Sequence, residues 1–203
     1  MPSGTGRTFE EMERIAVIGC GGSGKTTLSR RLGGLLELPV IHTDGHYWRE
    51  VDGVRIESTP EQWRDTHREL VAGRRWVIDG MKLGALEERL AAADTAIFLD
   101  LPTMTCLWGI VRRRLRFRGQ NRPELGVYDD RISWPFIAWV SSFRRRQRPR
   151  ILQLLAASGR DVIVLRSRRE VAALLARVAP ATHPSAGTKL PTDWTSTACP
   201  PAR

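Results

Sequence analysis

Short apolar runs alternate along this chain with longer segments in which apolar residues recur every three or four positions. Five runs have the length and β-branched content of strands, and they span residues 14–18, 40–43, 75–78, 95–99 and 162–165. The segments between them show the helical period. This alternation predicts a parallel sheet with right-handed crossovers and helices on both faces, so a ligand is expected at the carboxyl ends of the strands.

Capping residues mark the starts of two predicted helices. Thr59 precedes Pro60 and Gln62, and Ser167 precedes Glu170, so each pair has the spacing of a capping box. The second of these helices is expected to bury Val171, Leu174, Leu175 and Val178.

The fourth strand is followed by a predicted helix that begins at about Met104 and ends at Gly119. One of its faces is rich in arginine, and the face expected to pack on the core carries Leu107, Val111 and Leu115. Residues 134–157 predict one helix, or two with a break at Pro149. The core is expected to include Trp134 and Trp139.

The first strand leads into a phosphate-binding motif. Residues 19–26 read G-x-x-x-x-G-K-[ST] and directly follow the apolar run. Glycines let successive backbone N–H groups of such a loop point inward, and the positive end of the next helix adds to this field. Lys25 would reach the β- and γ-phosphates, and the Thr26 hydroxyl would help to hold Mg²⁺. Binding of ATP or GTP is therefore predicted for Gly21, Gly22, Ser23, Gly24, Lys25, Thr26 and Thr27.

Three aspartates follow predicted strands. Asp79 comes after the apolar run 76–78 and is the best placed carboxylate to orient Mg²⁺ together with Thr26. Asp44 follows the second strand, where it could act as a base or orient an acceptor. Asp100 follows the fourth strand. A turn-forming role is the competing interpretation for Asp44 and, more strongly, for Asp100.

The length of 203 residues suits one α/β domain, expected at residues 13–179 between disordered tails at 1–12 and 180–203. No segment resembles a signal peptide or a membrane span, and the three cysteines form no C-x-x-C pair. A cytoplasmic protein without membrane association, monomeric or homodimeric, is expected. Cys20, inside the phosphate-binding loop, is interpreted as a small filler side chain.

Positive charge is concentrated in the second half of the chain. Residues 101–203 carry 19 basic and 6 acidic side chains, against 13 and 16 in residues 1–100. Much of the excess lies in two arginine clusters, at 112–118 and 144–150. Three interpretations stay open for them: a clamp on a transferring phosphoryl group, neutralisation of a nucleic-acid backbone, and solvated surface in a chain with 29 arginines and 3 lysines.

Several of these segments together resemble the adenylate-kinase-related P-loop proteins. They are the loop 19–26, the strand 40–44 with Tyr47 and Trp48 after it, and the segments 76–80, 97–102 and 112–123. Within that group the chain is most similar to bacterial proteins named DNA topology modulation protein, of the FlaR type. The resemblance covers about residues 14–178. It implies a three-layer α/β/α fold, a five-stranded parallel sheet in the order 2-3-1-4-5, and a helical lid after strand four at about 112–150.

The resemblance also implies roles for individual residues in phosphoryl transfer from ATP with Mg²⁺. Lys25 and the loop amides hold the donor, and Thr26 and Asp79 manage the metal ion. Asp44 faces a small-molecule or nucleotide acceptor. Arginines of the lid close over the phosphates, with Arg112, Arg113 and Arg116 as candidates. The loop 166–168, which includes Arg168, passes close to the adenine.

One departure from nucleotide monophosphate kinases concerns the acceptor. Those enzymes continue with Phe-Pro-Arg after the Asp-Gly pair, whereas residues 81–83 of this chain are Met-Lys-Leu and lack the arginine that grips an acceptor phosphate. Phosphorylation of AMP is therefore not expected. Tyr47, Trp48 and Trp63 could stack on a flat substrate, or could equally fill the core.

Two functions of different classes follow from these patterns. The favoured one is a kinase that transfers the γ-phosphoryl group of ATP to a small molecule or a nucleotide. The alternative is a nucleotide-dependent protein that binds nucleic acid through its arginine-rich second half. The alternative ranks second because the sequence contains no base-reading motif.

Overall fold

The computed structural model describes residues 9–51, 54–116 and 133–179. Its strands are β1 (Arg14–Gly19), β2 (Val40–His42), β3 (Trp48–Val51), β4 (Val54–Glu57), β5 (Trp76–Asp79), β6 (Thr95–Leu99) and β7 (Asp161–Leu165). Its α-helices are α1 (Lys25–Leu36), α2 (Thr43–Tyr47), α3 (Pro60–Val71), α4 (Leu86–Ala92), α5 (Thr103–Arg116), α6 (Trp134–Arg146), α7 (Arg148–Ala157) and α8 (Arg168–Val178). Short 3-10 helices are present at Phe9–Glu11 and Leu83–Ala85.

Five strands form one parallel sheet in the order β2-β5-β1-β6-β7. Among the five strands predicted from the apolar runs, this is the order 2-3-1-4-5, so the predicted topology is confirmed. The chain turns to one side of β1 for β2 and β5, and to the other side for β6 and β7. In sheets of this kind the ligand crevice lies where the direction changes, which here is the carboxyl end of β1.

Alternating side chains of β1 separate the core into two layers. Ile15 and Val17 face the cluster that α1 and α8 cover, while Ala16 and Ile18 face the cluster to which helices α3 to α7 contribute. All four are fully buried because the sheet is covered on both faces. The predicted three-layer α/β/α architecture is therefore confirmed.

The predicted helix boundaries are largely confirmed. Thr59 Oγ1 accepts from the Gln62 backbone N–H at 3.3 Å and the Gln62 side chain accepts from the Thr59 N–H at 3.1 Å, which is a complete capping box. Ser167 Oγ accepts from the Glu170 N–H at 3.1 Å, but the Glu170 carboxylate accepts from the Arg166 N–H instead of the Ser167 N–H. The chain also breaks near Pro149, since α6 ends and α7 begins within two residues of each other. None of the helices in the described ranges combines the length and hydropathy needed to cross a bilayer.

The segment after β2 differs from its prediction. The strand expected at 40–43 ends at His42, and α2 begins at Thr43. An antiparallel hairpin of β3 and β4, which was not predicted, then precedes α3. The sequence between its two strands is Asp52-Gly53, a dipeptide typical of hairpin turns that could have predicted it.

The described structure begins earlier in the chain than the predicted domain does. Met12 is buried in the core, so the described structure begins before the boundary expected at residue 13. Residues 1–8 and 180–203, predicted as tails, lie outside the described residues.

The lid predicted at 112–150 is described only in part. Residues 117–132 lie outside the described ranges, and Val140 and Phe143 of α6 are core residues. The predicted helix end at Gly119 is likewise outside the described ranges.

Helix α5 presents a different face to the core from the one predicted. Cys106 and Ile110 are buried, whereas Leu115 is 63% exposed and Val111 is 42% exposed. The orientation follows from Gly109, because a Cβ there would lie 2.1 Å from the carbonyl oxygen of Gly22. The glycine side of the helix therefore lies against the phosphate-binding loop. Of the predicted apolar face, Leu107 still packs partly against the core, and Val111 and Leu115 face outward.

Trp134 was predicted to be in the core and is instead 85% exposed. It is the first residue of α6, whose buried contacts begin further along at Val140 and Phe143. The ring therefore lies at the free end of the helix. Trp139, one turn closer to those contacts, is partly buried and packs against the core.

Asp100 has a structural role that differs from the predicted turn. Its buried carboxylate accepts from Arg148 Nε and Nη2 at 2.8 Å each, in the two-pronged geometry typical of arginine. This hydrogen bonding raises the pKa of the Arg148 guanidinium. Arg144 donates to the carbonyl oxygens of Asp100 and Leu101 at 3.4 and 3.3 Å. Two arginines of the second cluster thus fasten the α6 and α7 region to the end of β6.

Candidate active site

The phosphate-binding loop leaves β1 at Gly19 and enters α1 at Lys25. Gly22 and Gly24 have φ angles of 75° and 94°, in the left-handed region that glycine adopts without strain. The loop also lies against α5, because a Cβ on Gly22 would come within 2.1 Å of the Cys106 carbonyl oxygen. Lys25 Nζ donates to the carbonyl of Cys20 at 2.9 Å, which holds the ammonium group over the loop.

Polar groups of this loop suit an anionic ligand. The hydroxyl oxygen of Ser23 is buried and has no hydrogen-bond partner within the described residues. The first turn of α1 contains no acidic side chain that would compensate its positive end. Unsatisfied donors of this kind at a helix start are what a phosphate group binds. The loop therefore fits the triphosphate that its sequence predicts.

Asp79 ends β5 beside the start of this loop. It pairs in register with Val17 of β1 and with His42 of β2, and it is almost fully buried. His42 Nδ1 donates to Asp79 Oδ2 at 2.8 Å, which fixes the carboxylate. The Thr26 hydroxyl and the Asp79 carboxylate are oxygen donors of the type that Mg²⁺ prefers. The two residues predicted for the metal therefore fit it chemically.

Asp44 lies in the first turn of α2, two residues beyond the end of β2. This position differs from the strand end that was predicted, but its exposed side chain borders the same cavity as Asp79. Tyr47, at the end of α2, also lines the cavity. Its ring meets the ring of Trp63 edge to face at 5.4 Å. Because Trp63 is only 6% exposed, the core interpretation is the correct one for it.

One cavity of about 850 Å³ connects these groups. The residues predicted for the site all line it: Gly21, Gly22, Ser23, Gly24, Lys25, Thr26, Thr27, Asp44, Asp79, Arg112, Arg113, Arg116 and Arg168. The structure adds others that were not predicted to belong to the site: His42, Met81, Lys82, Phe136 and Trp139. His42 had a usable signal, because it ends a strand next to the one that carries Asp79. The α6 aromatics had none, because they come from a distant part of the chain.

A fully buried arginine, Arg89, supports the floor of this site. Its Nη1 donates to the carbonyl of Gly80 at 3.1 Å, and its Nε donates to His67 Nε2 at 3.3 Å. Burial lowers the pKa of Arg89 to about 10, although the attraction of Asp79 and Asp44 opposes that shift. Sequence reasoning missed this residue because an arginine on a short helix usually faces solvent.

His67 completes the network as a neutral ring. Since Nε2 accepts from Arg89, the proton resides on Nδ1, which donates to Glu88 Oε2 at 3.2 Å. Burial, and then the charge of Arg89, lower the pKa of His67, while Glu88 opposes the shift. Arg68 lies near the same carboxylate, with Nε 3.5 Å from Glu88 Oε1.

We expect this network to make the protein less stable in mild acid. As the pH falls below about 6.5, the unfolded chain takes up a proton on residue 67 that the native ring excludes, so the free energy of unfolding declines until the lower native pKa is reached. Urea unfolding at pH 7.5, 6.5 and 5.5 measures the slope. His67→Gln keeps an acceptor for Arg89 without a titrating ring and should reduce that slope. Parallel pH profiles of the two proteins would contradict the expectation.

The two buried cysteines beside the loop act as packing groups. The Cys20 thiol donates to the carbonyl of Val140 and the Cys106 thiol to the carbonyl of Leu101, each at 4.0 Å. The neighbouring Cys106 thiol together with burial raises the pKa of the Cys20 thiol. The group therefore stays protonated and is a poor nucleophile. This agrees with the interpretation of Cys20 as a small filler side chain.

The fold and the loop together define a P-loop α/β domain, and a solved structure of similar fold agrees with this. The chain matches no model of a known protein family and no curated protein. Among solved structures, it is similar to a shikimate kinase from Acinetobacter baumannii in complex with shikimate, with 17% identity, a TM-score of 0.55, and coverage of 84% of this chain and 92% of that one.

A gluconokinase from Sinorhizobium meliloti 1021 is also similar, with 18% identity, a TM-score of 0.48, and coverage of 85% and 95% of the two chains. At 17% identity the likeness to the shikimate kinase concerns the fold alone. The narrower resemblance to DNA topology modulation proteins stays a prediction.

Proposed function

We propose that this protein is an ATP-dependent kinase that phosphorylates a hydroxyl group of a small acceptor. The observation that supports this most is the shared cavity, which brings a phosphate-binding loop and its lysine together with two aspartates and several arginines. A kinase needs these groups in one enclosed place, because positioning and electrostatic stabilisation supply most of its rate enhancement. The kinases of similar fold are consistent with the proposal.

In the proposed reaction the acceptor oxygen forms a bond to the γ-phosphorus while the bond from that phosphorus to the bridging oxygen of ADP breaks. The electron pair of the broken bond leaves with ADP, and the hydroxyl proton passes to the Asp44 carboxylate. Lys25 and the loop amides hold the donor phosphates, and arginines 112, 113 and 116 balance their charge. Thr26 and Asp79 would hold Mg²⁺, which supplies further charge neutralisation when bound.

The nucleic-acid alternative has no support in the structure. Arg112, Arg113 and Arg116 of the first cluster border the cavity, and Arg144 and Arg148 of the second are engaged with the backbone or side chain around Asp100. These five arginines thus have uses that need no nucleic-acid backbone. DNA affinity that rises with bound ATP and falls steeply with salt would revive the alternative.

The test of the kinase proposal is a panel of nucleosides, nucleotides and small hydroxylated metabolites, scored for ATP-dependent phosphorylation by mass spectrometry. With an acceptor found in this way, Asp44→Asn is expected to lower kcat about 10²-fold while ATP affinity stays within about threefold, because the amide cannot take the hydroxyl proton. Calorimetry supplies the affinity. Equal losses of ATP affinity and of turnover would place Asp44 at the donor instead.

A further inference from the structure

Lys82 is a cation that the proposed kinase reaction leaves without a role. It lies between the end of β5 and the 3-10 helix Leu83–Ala85, and it lines the same cavity as Lys25 and Asp44. Its Nζ atom is 3.3 Å from the centroid of the Tyr47 ring, a cation–π contact that holds the ammonium group at one place on the cavity wall. The side chain is only partly exposed.

This ammonium group lacks a close counter-ion. Among the described residues no carboxylate lies within ion-pairing distance of it, and Glu57 and Asp44 attract it only from further away. The Glu57 carboxylate accepts instead from the Tyr47 hydroxyl at 2.9 Å. Burial lowers the pKa of Lys82, so the charged form is partly deprived of water without being paired. An anionic ligand group at this position would stabilise the charged amine in place of the water that burial removes.

The wall that carries Lys82 is rigidly built. Tyr47 is held by Glu57 through its hydroxyl, and by edge-to-face contacts with Trp48 at 5.7 Å and Trp63 at 5.4 Å. Because Trp63 is a core residue, the ring beneath the ammonium group is fixed to the body of the domain. A charge fixed in this way can select a ligand, since little side-chain entropy remains to be lost on binding.

The charge of the cavity lining also favours an anionic ligand near Lys82. Arginine and lysine side chains dominate its lining, and the acidic side chains among the described lining residues are those of Asp44 and Asp79. Both have roles in the proposed reaction, as base and as metal partner. Neither is therefore available to pair with Lys82 in the working enzyme.

From these observations we propose that Lys82 binds an anionic group of the acceptor, so that the substrate is a small hydroxylated carboxylate or phosphate ester and not a neutral alcohol. The hydroxyl of this substrate is directed to Asp44, and its anionic end is directed to Lys82. The assignment rests on the proposed function and adds the charge of the acceptor to it. It makes Lys82 a specificity-determining residue that takes no part in proton transfer.

The chain offers a direct binding test, because it contains three lysines, Lys25, Lys82 and Lys189. The donor site is first filled with Mg²⁺ and a non-hydrolysable ATP analogue, and calorimetry confirms that it binds. Acetylation of each lysine is then followed by mass spectrometry while matched probes are added: glycerate or glycerol 3-phosphate against glycerol, and gluconate against glucitol. We expect an anionic member to slow acetylation of Lys82 several-fold and the neutral members to leave it unchanged.

Turnover gives the second measurement. A charge-assisted hydrogen bond of ordinary strength corresponds to about 10- to 100-fold in affinity, so Lys82→Met should raise KM for an anionic acceptor by that factor and leave kcat within about threefold. Lys82→Arg keeps the charge and should retain most of the affinity. The carboxylate and phosphate probes separate the two sources of the anion.

Three results would overturn the assignment. In the first, neither the carboxylate nor the phosphate probe slows acetylation of Lys82 at tens of millimolar. In the second, the enzyme phosphorylates neutral and anionic acceptors equally well. In the third, Lys82→Met lowers kcat for neutral and anionic acceptors alike. Failure of the proposed function has a different signature, because the ATP analogue would then fail to bind. A purely structural role for Lys82 would lower the melting temperature of Lys82→Met without changing the preference between matched probes.

Discussion

Replacement of Lys25 by methionine is expected to lower phosphoryl transfer from ATP about 10³-fold, by analogy with the loss of other groups that stabilise charge in a transition state. Methionine has a similar length but no charge, so the developing negative charge on the γ-phosphoryl oxygens would lose its nearest fixed cation. Lys25 is already held over the loop by its 2.9 Å hydrogen bond to the Cys20 carbonyl, so only a short movement separates it from a bound phosphate. Initial rates of acceptor-dependent ADP release measure the effect.

Thermal unfolding of the same variant is the control. Loss of one hydrogen bond between a charged group and a backbone carbonyl corresponds to about 2 kcal/mol, so Lys25→Met should remain folded at assay temperature. Arg30→Met removes a cation from the same helix and the same cavity lining, and we expect it to keep most of the activity. A Lys25→Met protein with turnover within tenfold of the wild type would reject the kinase proposal.

The sheet order could be predicted because each of its strands is signalled locally. Runs such as 95–99 are almost entirely apolar and lie in the buried centre of the sheet, where side chains on both faces are mostly apolar. The β3 and β4 hairpin was missed because its strands carry charged side chains such as Arg49 and Glu57 at exposed positions. Such strands lack the continuous apolar run on which the prediction depended.

The site residues that follow parallel strands could be predicted from the sequence. Parallel strands bring their carboxyl ends together, so a motif after β1 and Asp79 after β5 had to lie close to each other. Arg89 and Lys82 could not be predicted in this way, because their positions depend on tertiary packing. Nothing in the sequence distinguishes a buried arginine bonded to Gly80 from one of the many that face solvent.

The orientation of α5 also depends on tertiary packing, and the sequence pattern predicted it wrongly. The spacing of Leu107, Val111 and Leu115 predicts an apolar face directed to the core, but the helix is placed by two glycines that meet backbone to backbone. A Cβ on Gly109 would lie 2.1 Å from the Gly22 oxygen, and a Cβ on Gly22 would lie 2.1 Å from the Cys106 oxygen. Contact between backbones outweighs the hydrophobic pattern because no side chain can fit between them.

This contact leads to the prediction with the largest expected effect on stability. Gly22→Ala should lower the free energy of unfolding by about 2–6 kcal/mol, since it combines a left-handed φ of 75° with a clash against a helix backbone that cannot shift on its own. Any molecules that do fold should bind ATP poorly, because the loop must move away from α5 to accept the methyl group. Urea unfolding measures the first effect, and calorimetry with Mg²⁺ and ATP measures the second.

Gly34→Ala is the matched control, because it makes the same chemical change in the helix that follows the loop. Gly34 is exposed in α1, and a Cβ there would have nothing within 4 Å. Alanine favours a helix over glycine, so this variant should be more stable than the wild type by about 1 kcal/mol and should bind ATP normally. If Gly22→Ala were as stable as Gly34→Ala, the close contact between the loop and α5 would be wrong, and with it the shape of the phosphate-binding site.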